Sequence, residues 1–194
     1  MKKSSFFSDF LKPILVLVLI CAVVGAALAY INSVTEPVIA ENDRIQAETD
    51  RKTVLEEAVT FEAVPVNEYQ SLLDEGSGIT GIFRGLAESG EFVGIVVTAE
   101  NRGYGGLVPV TVGIGRDGSV LKAIANVSTE TEGLGSKAGK PDFLGKFEGA
   151  GSKDEALTVD AVSGATRTST AVKKGIGQAL DAFEVLFGMG GSEK

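Results

Sequence analysis

Ile14 to Ile31 is an unbroken apolar run, and no charged residue occurs from Pro13 to Thr35. Its 18 residues, wound as a helix at ~1.5 Å each, span roughly 27 Å, against about 30 Å for a bilayer's hydrocarbon core. The segment has no polar face, so it reads as a transmembrane helix rather than a core helix. Lys2, Lys3 and Lys12 precede it against Asp9 alone, and Glu36 and Glu41 follow. That asymmetry predicts a cytoplasmic N-terminus and a remainder on the outer, periplasmic or extracellular side. Tyr30 stands where an interfacial aromatic is expected. Ala27-Leu28-Ala29 has the form of a signal-peptidase site, so a cleaved signal peptide is the competing reading. The run exceeds the ~7–15 residues of an ordinary signal h-region, which favours a retained anchor. A lipoprotein reading of Cys21 fails because Ile20 precedes it, where a small residue is required.

Beyond the anchor, apolar positions between Val34 and Val59 fall loosely on one helical face among many charges. This reads as an exposed helical stalk, with Pro37 suited to its first turn. The period then changes to two. Ile79–Leu86 and Phe92–Thr98 are predicted strands joined through Ser89-Gly90. Leu107–Ile114 and Val120–Val127 form a second pair around Asp117-Gly118, a hairpin turn signal. Val108, Val110, Val112 and Ile114 would share one face. Pro109 cannot donate to a ladder, which predicts an edge strand. Ala156–Val159 reads as a short strand ending near Asp160. From Thr168 to Phe187 the period returns to three and four, with Val172, Ile176, Ala179 or Leu180, Phe183 and Phe187 on one face and Thr168, Ser169 or Thr170 as N-cap. Gly175 and Gly177 each cost about 1 kcal/mol in mid-helix, so a close neighbour is expected there. The fold class is α+β: a single N-terminal transmembrane helix followed by a twisted antiparallel sheet with flanking helices.

Composition narrows the chemistry. The formal charge is -8, which argues against a nucleic-acid partner. The chain has no histidine and one cysteine, which removes His-ligated haem, Cys-ligated iron–sulfur clusters, the usual zinc sites, and Ser-His-Asp or Cys-His catalysis within this chain. A redox cofactor carried here would be organic. Glycine supplies 25 of 194 residues, about twice the usual share, consistent with tight turns in a β-rich body.

The segment most informative about function is Asp160-Ala161-Val162-Ser163-Gly164-Ala165-Thr166. A small-residue turn ending in a hydroxyl at a helix start is a seat for phosphate, because the helix N-terminus offers unpaired N–H groups and about half a positive charge. Arg167, Lys173 and Lys174 would add positive potential. Ser-Gly-Ala-Thr is also an ordinary loop-to-helix transition, and Thr168 is a second candidate hydroxyl two residues on. Two other glycine segments stand out: Gly103-Tyr104-Gly105-Gly106, a sharp reversal bearing one aromatic, and Glu130-Thr131-Glu132-Gly133-Leu134-Gly135, which presents a leucine with no periodic reason to be there.

These three segments, in this order and with the Asp-Gly hairpin between the second and third, resemble the FMN-binding domain family. That domain occurs in the G subunit of the Rnf electron-transport complex and in the C subunit of the sodium-pumping NADH:quinone reductase. The single membrane helix followed by Thr35-Glu36-Pro37 also fits. Glu132 departs from the family, which commonly has proline there.

The resemblance implies FMN joined covalently by its phosphate to Thr166 by a separate flavin transferase. It implies a site formed by Ser163, Gly164, Ala165, Thr168 and Ser169 around the attachment point. Glu130, Thr131, Gly133, Leu134 and Gly135 would lie near the flavin ring, with Leu134 against it. The implied layout is a cytoplasmic N-terminus (1–12), a transmembrane helix (13–32), a helical stalk (33–60), an FMN-binding domain (61–188) and a tail (189–194). The implied role is a membrane-anchored electron carrier in an ion-translocating ferredoxin/NAD complex, working with other membrane, flavin or iron–sulfur subunits. The shorter length favours the Rnf G subunit. The other readings are the quinone-reductase C subunit, a stand-alone extracytoplasmic flavin carrier, and a cofactor-free scaffold domain.

Overall fold

The computed structural model describes residues 4–74 and 77–188, with the side chains of 4–10 and 74 excepted. Lys2, Lys3 and the tail 189–194 lie outside the described residues. The chain divides into two compact units at Ala47/Glu48.

In the first unit the apolar run is helical, part of α1 (Ser4–Val54). Its most apolar 18-residue window has a mean hydropathy of 3.0 and is entirely unburied. By length and composition this helix is able to cross a membrane. Pro37 does not open a separate stalk helix, because α1 continues through both Pro13 and Pro37. The residues before Pro37 supply no cap. The Ser33 hydroxyl donates to the Tyr30 carbonyl at 2.8 Å and the Thr35 hydroxyl to the Ile31 carbonyl at 3.0 Å. Both hydroxyls turn back onto the existing helix instead of starting a new one.

The second unit is built on a five-stranded antiparallel sheet with its strands in chain order. The strands are β1 (Thr60–Ala63), β2 (Ile79–Leu86), β3 (Phe92–Arg102), β4 (Leu107–Gly115) and β5 (Val120–Ala125). A short α2 (Gln70–Asp74) lies between β1 and β2. Both predicted hairpins form, with Gly90 and Gly118 each at φ 80°. At Gly118 the Asp117 carboxylate accepts from Ser119 N at 3.1 Å, the turn chemistry expected of Asp-Gly.

Pro109 is not on an edge strand, since β4 lies between β3 and β5. It is tolerated because it sits one residue past Val110↔Ala125, the end of the β4–β5 register. There its carbonyl accepts from Asn126 N at 2.9 Å, and no N–H is required of it.

Val108, Val110, Val112 and Ile114 are each 0% exposed on one face of the sheet. They form the main core with Val172, Ile176, Phe143 and Phe147. Full burial of such side chains contributes about 1.5–3 kcal/mol each. Val54, Leu55 and Ala58 cluster with Val93 and Val96 in a second, smaller core. A Cβ on Gly113 would meet the Val54 carbonyl, so only glycine permits that approach.

After β5 come α3 (Pro141–Leu144), α4 (Lys153–Thr158) and α5 (Thr166–Phe187). The expected strand before Asp160 is α4. Its start was encoded by a variant of the capping box: Ser152 Oγ accepts from Glu155 N at 3.3 Å, and the Glu155 carboxylate reaches one residue before the cap, accepting from Gly151 N at 2.8 Å. The Thr158 hydroxyl then donates to the Glu155 carbonyl at 2.7 Å.

Helix α5 begins at Thr166, two residues before the expected start, with Ala165 as N-cap. The close packing expected at its glycines is present. A Cβ on Gly175 would lie 3.1 Å from Val110 Cβ, and one on Gly177 would lie 3.0 Å from Lys153 Cγ.

Candidate functional site

The loop after α4 and the start of α5 carry the 160–166 segment into a cleft of about 530 Å³, within the ~300–1,000 Å³ usual for ligand sites. Its walls are Tyr104, Glu130, Thr131, Leu134, Gly135, Gly164, Ala165, Thr166, Arg167 and Thr168. All three segments singled out in the sequence therefore meet here. Eight of the expected site residues line the cleft and three do not. Ser163 is exposed beside it. Gly133, at φ 76°, shapes the turn behind Leu134. Ser169 is fully buried, and its Oγ accepts from Val162 N at 3.0 Å, which braces the loop from below.

Thr166 and Thr168 differ sharply. Thr166 is exposed at the first residue of α5. Thr168 is 1% exposed, and its hydroxyl donates to Glu130 Oε2 at 2.5 Å. Ala165 caps α5 without a side-chain acceptor, so the first-turn N–H groups open at the cleft without a partner from the cap. Of the expected cations, only Arg167 lines the cleft. Lys173 instead donates to the carbonyls of Leu157 at 3.0 Å and Val159 at 2.9 Å, closing the end of α4. Lys174 lines a separate small pocket with Gln178 and Asp181.

Glu130 is 7% exposed. Its Oε1 accepts from Gly105 N at 2.9 Å, Tyr104 N at 3.1 Å and Gly106 N at 3.4 Å. Burial pushes its pKa up, but the hydrogen bonds from Thr168 and these three amides outweigh that and hold it below the usual carboxylate range. Gly103 N–H donates to the Gly106 carbonyl at 2.8 Å, which closes the turn. Tyr104 is left 71% exposed at the cleft. It was absent from the expected set, although its glycine-bracketed position was the signal that could have included it.

The lining fits a flavin mononucleotide. Thr166, the open amides and Arg167 suit a phosphate, while Leu134, Ala165 and Tyr104 offer apolar surface to a ring. Gly135 lets the chain pass against Glu130 and Thr168, and Gly164 passes against Leu134.

Residues 103–181 match the FMN-binding domain. The G subunit of the ion-translocating oxidoreductase complex of Methanosarcina acetivorans is 34% identical over 88% of this chain and 92% of its own length. The G subunit of the Na(+)-translocating ferredoxin:NAD(+) oxidoreductase complex of Acetobacterium woodii is 32% identical over 89% of this chain and 90% of its own. Among solved structures, Shewanella oneidensis NqrC aligns over 56% of this chain and 59% of its own, with a TM-score of 0.46 and 22% identity. With the anchor helix, the cleft and relatives aligned over nearly their whole lengths, the chain belongs to the G-subunit family of ion-translocating oxidoreductase complexes.

Proposed function

We propose that this chain is the membrane-anchored flavoprotein subunit of such a complex, carrying FMN joined through its phosphate to the Thr166 hydroxyl. FMN supplies reversible uptake and release of electrons, and the protein supplies its position and surroundings. The observation that carries the reading is the contrast between the two threonines. Thr166 presents a free hydroxyl at the open end of α5, whereas Thr168 is buried and spent on Glu130. The first-turn amides and Arg167 would hold the phosphoester, with Leu134 and Tyr104 beside the ring. Asp160, at the start of the motif, is exposed, as recognition by a flavin transferase requires. The other subunits of the complex would supply and take the electrons.

The test is intact-mass and peptide mapping of the chain made with a flavin transferase. The added mass of FMN should sit on the peptide containing Thr166. Thr166→Ala should abolish it, and Thr168→Ala should not move it. Modification retained in Thr166→Ala would assign the wrong hydroxyl. An unmodified wild type would sink the covalent reading altogether. Co-purification with the remaining membrane subunits checks the complex, and a free flavoprotein would count against it.

A further inference from the structure

Glu130 is the one carboxylate among the residues lining the cleft. Its negative charge, next to the seat proposed for an anionic phosphoester, is offset by hydrogen-bond donors. Its two oxygens have about four acceptor sites, and four donors meet them: the amides of Tyr104, Gly105 and Gly106 and the hydroxyl of Thr168. The Tyr104 amide also lies 3.2 Å from Oε2, so it is shared between both oxygens. No acceptor capacity remains for a ligand. The backbone has been fitted around this group as well. A Cβ on Gly103 would lie 2.5 Å from Oε1, and one on Gly135 would lie 2.9 Å from Oε2 and 3.0 Å from Thr168 Oγ1.

We propose that Glu130 is a positioning residue rather than a ligand contact. By accepting from the 103–106 loop and from the first turn of α5 at once, it clamps together the two segments that carry Tyr104 and Thr166, and so fixes the geometry in which both face the cofactor. This deepens the preceding reading and rests on Thr166 as the attachment point.

The experiment uses the full chain in detergent, made with and without the flavin transferase, as wild type, Glu130→Ala, Glu130→Gln and Thr168→Val. Hydrogen exchange of the unloaded protein reads the clamp directly. Glu130→Ala should speed exchange in the peptide spanning Tyr104–Gly106 by roughly tenfold or more, while the β3 and β4 amides stay protected. Glu130→Gln should restore most of that protection and most of the FMN loading. Its amide oxygen can accept from the loop while its NH₂ donates to Thr168 Oγ1.

Thr168→Val leaves the loop side intact, so its exchange at Tyr104–Gly106 should stay near wild type. Its bound flavin should show lower fluorescence anisotropy, because only the α5 side is released. Unchanged loop exchange in a folded Glu130→Ala, or no rescue by Glu130→Gln, overturns the clamp. If Glu130→Ala unfolds throughout, Thr168→Val decides, and wild-type anisotropy and loading in that variant overturn the proposal. A wild type that carries no FMN sinks the attachment reading, while the exchange measurements still decide the clamp.

Discussion

Gly164 and Leu134, far apart in the chain, meet at the cleft: a Cβ placed on Gly164 would lie 3.3 Å from Leu134 Cδ2. Gly164 also holds φ at 76°, a left-handed conformation. Gly164→Ala therefore combines backbone strain of about 1–2 kcal/mol with pressure on the leucine proposed to lie against the ring. The variant should fold, melt at a lower temperature, and carry less covalent flavin on a denaturing fluorescence gel. Wild-type loading would show that the pair does not shape the ligand's space.

The pH dependence of stability follows from Glu130. Its pKa is depressed in the folded chain, so its ionised form contributes stability that is fully present above the unfolded value. That contribution is lost as the pH falls through the folded pKa. Asp117 behaves alike, held down chiefly by the Ser119 backbone amide, but it is unchanged in a Glu130 variant. Denaturant midpoints measured from pH 6 downward should therefore fall more steeply for wild type than for Glu130→Gln. Parallel curves would mean that Glu130 has the same pKa in the folded and the unfolded chain.

The anchor, four strands, both hairpin turns and the last helix were legible because each has a period or a turn residue that local physics enforces. The convergence of the three glycine segments was not derivable from spacing and came from family resemblance. Misreadings arose where tertiary context or a cap decided. Ala156–Val159 looks like a strand until the Ser152/Glu155 box is read with it. Pro109 looks like an edge residue until its place at the end of the β4–β5 register is known. Lys173 looks like a phosphate ligand, but its charge goes to the end of α4. Thr166 and Thr168 are the same residue type two positions apart, and their difference in burial, Thr166 exposed and Thr168 buried, is set by the tertiary packing.

Lys173 yields a prediction of its own. Its ammonium bridges the Leu157 and Val159 carbonyls from α5, and so ties down the chain entering the 160–166 motif. Lys173→Met keeps much of the aliphatic stem and removes these charge-assisted bonds, at a cost of about 1.5–3 kcal/mol. Proteolysis of the native variant should quicken between residues 158 and 165, with lower FMN occupancy at Thr166. If loading and proteolysis both match wild type, the entry to the motif is held by Ser169 and the Val162 amide alone.

Sidedness rests on the charges that flank the apolar run within α1. Lys12 precedes the apolar stretch, together with Lys2 and Lys3, while Glu36 and Glu41 follow it. An orientation with the basic end in the cytoplasm carries the second unit, and with it the Thr166 site, to the outer face. Protease added to intact spheroplasts should therefore digest the 48–188 region, and inverted vesicles should protect it. Replacing Lys2, Lys3 and Lys12 with glutamate while adding lysines after Thr35 should increase the inverted population. A flavin transferase confined to the outer side should then leave that population without FMN. Digestion only in inverted vesicles would place the electron-carrying domain in the cytoplasm and overturn this orientation.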